Sequence, residues 1–200
     1  GKGILLTEGT DVTIVATGHL VWEALQASEK LEEQGISAEV INIHTIKPLD
    51  EEIILRSVQK TGCIVTAEEH NIIGGLGESV ARTLSLKAPT PQEFVGTNDT
   101  FGESGTPAQL MEKYGLNALS VEKAAKKISD IAADLLAIYA KRALKKGFAN
   151  HFNESNYLAF SAGFPFEETP DQALAIAAVL KDMCQDKPMD RLICGDVGFG

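Results

Sequence analysis

Two stretches of the chain bring together groups that could do chemistry. In EEHNIIGGLG a carboxylate, Glu69, stands beside an imidazole, His70, and Gly74 and Gly75 follow just before a helical pattern begins. A carboxylate and an imidazole at a strand end, facing a helix N-terminus, form a usual ligand position in α/β sheets, because exposed N–H groups there attract anions. The same glycines equally suit a tight turn with no ligand. The second stretch is GDVGFG, where Gly195, Gly198 and Gly200 follow the strand-like residues 191–194. Its G-x-x-x-x-G spacing is that of a loop whose N–H groups cradle phosphate oxygens. The Lys and Ser/Thr that would complete the motif lie beyond Gly200, so the nucleotide site is partial. His19 and His44 sit at strand ends without partners at ligand spacing, and no metal site is expected. Cys63, Cys184 and Cys194 are odd in number, lack CxxC spacing and read as buried thiols. No residue receives a catalytic role.

The elements that must position these groups alternate along the first part of the chain. Short β-branched runs at 12–17, 36–43, 63–67 and around Phe94 and Val95 read as strands. Helices are expected from 19 to Gly35, with Val21, Ala24, Leu25, Ser28 and Leu31 on the apolar face, and after Asp50 as N-cap. Further helices are expected after the glycine turn, with Val80, Leu84 and Leu86 toward the sheet, after Thr106-Pro107, and from about Ser120. Strands alternating with helices give a mostly parallel sheet covered on both faces. Beyond this, 121–144 reads as one long helix stopped near Gly147. Residues 148–168 read as irregular and aromatic, Thr169-Pro170 opens another helix to about Cys184, and 191–194 reads as a short strand.

Composition separates the two parts. Residues 1–122 hold 18 acids against 8 bases, whereas 123–200 hold 10 of each, so the whole formal charge of −10 lies in the first part. Such an acidic surface repels a phosphodiester backbone and argues against nucleic-acid binding by that part. No apolar run reaches the length of a membrane span and no signal-peptide pattern opens the chain, so a cytoplasmic location is expected. Both ends read as cut, and the chain as a fragment.

The series DVTIVATG, INIHTIKPLDEE, VTAEEHNIIGGLGESVA and FGESGTPAQLMEKYGL resembles the C-terminal domain of transketolases, particularly of the split C-terminal subunits, over nearly all of 1–122. The resemblance implies a mixed, mostly parallel five-stranded sheet flanked by helices and a homodimeric parent enzyme. In that family thiamine diphosphate, with Mg, lies between two other domains, so an N-terminal transketolase subunit or domains would be the partner. The family's cofactor glutamate and diphosphate motif have no matching positions here, so the expectation is a non-catalytic accessory domain. Residues 123–200, through IAADLLAIYAKRALKKGFA and FPFEETPDQALAIAAVLKDMCQDKPMDRLICGDVGFG, resemble the bacterial transcription-repair coupling factor up to its first ATPase motif. That implies a mainly helical extension ending in a short strand and a partial P-loop, with DNA as partner only on this reading. In related translocases a glutamine upstream of the P-loop reads adenine, and Gln172 occupies the comparable place. With Gly195, Gly198 and Gly200 it makes an incomplete ATP site. The two resemblances meet within 121–130, where one helix continues naturally as either family's element.

Overall fold

The computed structural model of the chain describes residues 1–195 and divides into two compact units, Gly1–Leu135 and Leu136–Gly200. The first unit is built on a five-stranded sheet. Its strands are β1 (Ile4–Thr7), β2 (Val12–Ala16), β3 (Ala38–Asn42), β4 (Ile64–Asn71) and β5 (Gln92–Thr97), in the spatial order β1-β3-β2-β4-β5. β2 pairs in parallel with β3 (Ile14 opposite Val40) and with β4 (Ile14 opposite Val65), and β4 pairs in parallel with β5. β1 alone runs antiparallel, against β3. The sheet is thus mixed and mostly parallel, as the resemblance implies.

All five residues of β2 are buried, which is what a central parallel strand requires when both faces are covered. Val12, Ile14 and Ala16 point into a cluster with α1 (Leu20–Glu32) and with α5 (Ala118–Leu144), whose Val121, Ala125, Ile128 and Ala132 recur at helical spacing. Val15 points the other way, toward Ile54 and Val58 of α2 (Glu51–Thr61) and Leu76, Val80 and Leu84 of α3 (Leu76–Lys87). Burying one such aliphatic side chain contributes roughly 1.5–3 kcal/mol. Thr13 shares the α2-facing side of the sheet, and its hydroxyl lies 2.6 Å from Ser57 Oγ and 2.7 Å from Thr61 Oγ1, so the polar atoms buried there are paired. Buried Glu39 on β3 pairs with Lys60 of α2.

Several expectations need adjusting. On α1 the fully buried positions are Leu20, Ala24, Ala27, Ser28 and Leu31, with Val21 and Leu25 half-buried at the margin. Leu86 is exposed, because two residues past Leu84 lies on the opposite side of a helix. Asp50 stands at the N-cap of α2 but does not cap it. Its Oδ2 instead accepts from Gly3 N–H at 2.8 Å, tying the segment before β1 to the start of α2. Of the cysteines, Cys63 is buried, with burial and then the Asp11 charge pushing its thiol up to about 11, while Cys184 and Cys194 are exposed.

After α4 (Pro107–Lys113), held by a capping box between Thr106 and Gln109, α5 carries the chain into the second unit. There the stretch expected to be irregular contains a helix, α6 (Glu154–Ser161), because the Asn153 side chain caps it by accepting from Asn156 N–H at 3.0 Å. Next comes α7 (Pro170–Met183). Residues 191–194 form no strand: a strand needs a partner ladder, and none of the described residues of this unit is extended beside them. Arg191 instead donates to Asp182 Oδ2 at 2.7 Å. Among the described residues from 136 to 195 none is buried, so α6 and α7 have no core of their own. Among the described residues no helix is long and apolar enough to cross a membrane.

The Gly3 N–H bond, followed by the Lys2 charge, outweighs burial and holds the Asp50 carboxyl below its ordinary 3.8. A carboxyl depressed in the folded state stabilises the fold above its unfolded value, and that contribution fades as pH falls through the depressed value. Melting curves from about pH 7 down to about pH 2 should show Asp50→Asn less stable at neutral pH, with the difference closing in acid. A constant difference across that range would contradict the Gly3 tie.

Candidate functional site

The sheet reverses its winding between β2 and β4, since β3 lies to one side of β2 and β5 lies beyond β4. At such a switch point the loops leaving neighbouring parallel strands diverge and open a crevice at the strands' C-terminal ends. Here it is a cavity of about 400 Å³ lined by Thr17 and Gly18 after β2, Ile46 after β3, and Glu68, Glu69, His70, Gly74 and Gly75 on β4 and its turn. The structure therefore brings together all four residues singled out from EEHNIIGGLG. Glu69 and His70 are exposed at the mouth, where His70 Nδ1 lies 3.2 Å from the Asn71 carbonyl oxygen. Gly74 takes φ +80° and Gly18 φ +59°, left-handed conformations that favour glycine.

Glu68, one residue before the pair read from sequence, is the group that organises the turn. It is 2% exposed, and its two carboxylate oxygens accept from Leu76 N–H at 2.7 Å and Gly77 N–H at 2.9 Å. These are first-turn donors of α3 that no helical carbonyl can satisfy. The glycines are the space this needs: a Cβ on Gly75 would collide with Glu68 Oε2, and one on Gly77 would come within 2.5 Å of the Phe94 ring. The signal was present as an acidic residue eight positions before a helix start. Strand alternation distinguishes it from Glu69, because Thr66 and Glu68 share one face.

His19 is an exposed N-cap residue of α1 and His44 is exposed beyond β3; among the described residues no group of three or more His, Cys, Asp or Glu side chains is placed to hold a metal ion. In the second unit, Gln172 lies in the first turn of α7. Its Oε1 accepts from Thr169 N–H at 2.9 Å while Thr169 Oγ1 accepts from Gln172 N–H, a capping box, so what it can offer a ligand is its amide NH2. It lines a cleft of about 430 Å³ with Phe160, Phe164, Phe166 and Ile176. Gly195 is described but stands in irregular chain, with open space where a Cβ would be. Gly198 and Gly200 lie outside the described residues.

An acidic, doubly covered α/β domain with a crevice at the switch point of its sheet is the class that the geometry defines. The family described as "Transketolase, C-terminal domain" matches residues 1–121, and the chain belongs to that family. It is 52% identical over 130 residues, 65% of its own length and 40% of the other's, to the 6-deoxy-6-sulfo-D-fructose transketolase subunit of Clostridium sp. (strain MSTE9). A solved structure, a split-gene transketolase described as an inactive β4 tetramer, superposes with a TM-score of 0.63 at 50% identity, covering 64% of this chain and 42% of that one. The chain is also similar to the transcription-repair-coupling factor of Escherichia coli (strain K12), 62% identical over 79 residues, 40% of this chain and 7% of that protein. It thus spans about two fifths of the length of these transketolase relatives.

Gly75→Ala should lower the melting temperature by on the order of 10 °C and displace the Glu68 bonds, whereas Gly18→Ala, strained but unobstructed, should cost only about 1 kcal/mol. Equal losses from the two substitutions would show that the packing around Glu68 is not tight.

Proposed function

We propose that the first unit is the non-catalytic, organising C-terminal domain of a thiamine-diphosphate-dependent transketolase. The parent enzyme moves a two-carbon ketol unit between sugar phosphates once cofactor-carrying domains or an N-terminal subunit join it, and it works as a dimer. The observation that carries this reading is that the family match spans every strand of the sheet and enters α5. The residues present do not fit a thiamine diphosphate and magnesium site. The described residues offer no cluster of metal ligands, and the N–H groups of Leu76 and Gly77, the first donors of α3, already serve Glu68. No step of ketol transfer is therefore assigned to this chain. The crevice walled by Glu69, His70, Gly74 and Gly75 is the place on this domain where a small ligand would lie.

Mixing the chain with an N-terminal transketolase subunit, thiamine diphosphate and magnesium should give ketol transfer, with none from the chain alone. Transfer by the unaided chain, or none from the mixture, would contradict the reading.

A second reading applies to residues 123–200, and the 62% identity over 79 residues to a coupling factor favours it. It is a piece of an ATP-driven DNA translocase in which the cleft at Gln172, walled by Phe164 and Phe166, accepts the planar base of adenine. Gly195, Gly198 and Gly200 would belong to the phosphate loop. Residues 1–200 hold the glycines of that loop without the Lys that draws charge from the β- and γ-phosphates, so a piece of these residues alone should not hydrolyse nucleotide. Assays with and without duplex DNA should detect no ATPase, and DNA-stimulated turnover would overturn the assignment of a partial site.

A further inference from the structure

The turn between β4 and α3 has the composition of a phosphate-binding loop, yet four of its backbone N–H groups are taken up within the protein. Ile72 N–H donates to the Thr97 carbonyl at 3.0 Å, and Ile73 N–H donates to Asn71 Oδ1 at 2.9 Å. Leu76 and Gly77 N–H both donate to Glu68. Asn71 Nδ2 in turn donates to Asp99 Oδ1 at 3.1 Å, and Ser79 Oγ donates to the Gly75 carbonyl at 3.0 Å. A helix N-terminus favours an anion because its free N–H groups and the helix dipole present positive potential. Here that anion is covalently part of the chain, delivered from the neighbouring strand.

Two glycines flank the Glu68 side chain. Beside the collision at Gly75, a Cβ on Gly96 of β5 would meet Glu68 Cγ at 3.3 Å, so the side chain threads between two glycines. Any phosphate brought to the same N–H groups would have to displace a carboxylate that is both buried and confined. The residues free to face the crevice are then Glu69 and His70, on the strand that Glu68 anchors.

We infer that Glu68 is a positioning residue whose carboxylate is the built-in anion of the α3 N-terminus. The Leu76 and Gly77 N–H groups consequently bind no phosphate, and Glu68 holds Glu69 and His70 as a fixed wall of the crevice. Its bearing on sugar phosphates, whose phosphate groups must be bound elsewhere in the assembled enzyme, rests on the reading above; the internal-anion assignment does not.

Two measurements on the full chain test it. In amide NMR of the unaltered protein, Leu76 and Gly77 should not shift as inorganic phosphate is added. Glu68→Ala should lower the melting temperature by on the order of 10 °C, and formate, which fits the vacated carboxylate position, should restore it saturably while moving those two amides back. Saturable movement of the two amides by phosphate in the unaltered protein would overturn the inference. So would an alanine variant that melts normally, or a loss that formate does not restore. If the alanine variant does not fold, the phosphate titration and Glu68→Gln, which keeps one acceptor oxygen and should lose about half as much, decide the matter. Failure of ketol transfer with the N-terminal subunit would count against the transketolase reading and leave this assignment standing.

Discussion

Everything in the first unit follows from one constraint: β2 is paired in parallel on both edges and must be covered on both faces. A parallel pair cannot be closed by a hairpin, so each connection crosses over through a helix, and those helices supply the covering. The alternation of Val12, Ile14 and Ala16 toward α1 and α5, and of Thr13 and Val15 toward α2 and α3, is the register of that arrangement. A slip of one residue would place Thr13 in the wholly apolar cluster and orphan the hydroxyls of Ser57 and Thr61.

The crevice is the functional consequence of the same constraint. Because the winding reverses beside β2, the turns after β2 and β4 separate, and Gly18, Gly74 and Gly75 line the gap. That geometry would ordinarily leave a helix N-terminus open to an anionic ligand. Glu68 fills it from within, and Gly75 is small because the carboxylate occupies its side-chain space. A loop whose sequence resembles a ligand loop is thus braced from inside the protein at its helix end.

Much of this was legible in the sequence, for identifiable reasons. Short β-branched runs separated by amphipathic helices read correctly because parallel strands buried on both faces cannot be polar. Thr106-Pro107 and Thr169-Pro170 read correctly as helix starts because a capping box is a local signal. Glu69 and His70 were found because adjacent charged and aromatic groups stand out, whereas Glu68 passed unnoticed because the alternation that turns it inward, shared with Thr66, was not followed along β4. Asp50 looked like a cap, but the partner that claims its carboxylate, Gly3, is 47 residues away. The strand expected at 191–194 had the right residues and lacked a neighbour to pair with. The helix α6 inside the aromatic stretch was missed because its start rests on the single side chain of Asn153.

The long helix α5 shows where the transketolase-like fold physically stops. Its sheet-facing residues Val121, Ala125, Ile128 and Ala132 are buried, and from Leu135 onward its apolar side chains, Leu136, Ile138 and Tyr139 among them, are substantially exposed. The stretch of α5 that the first unit buries therefore ends at Ala132. Hydrogen exchange along α5 tests this most directly. The account predicts that amides from Val121 to Ala132 exchange as slowly as those of β2, and that protection falls sharply beyond Leu135. Uniform protection along the whole helix, or rapid exchange already at Val121, would contradict a sheet domain closed by the first half of α5.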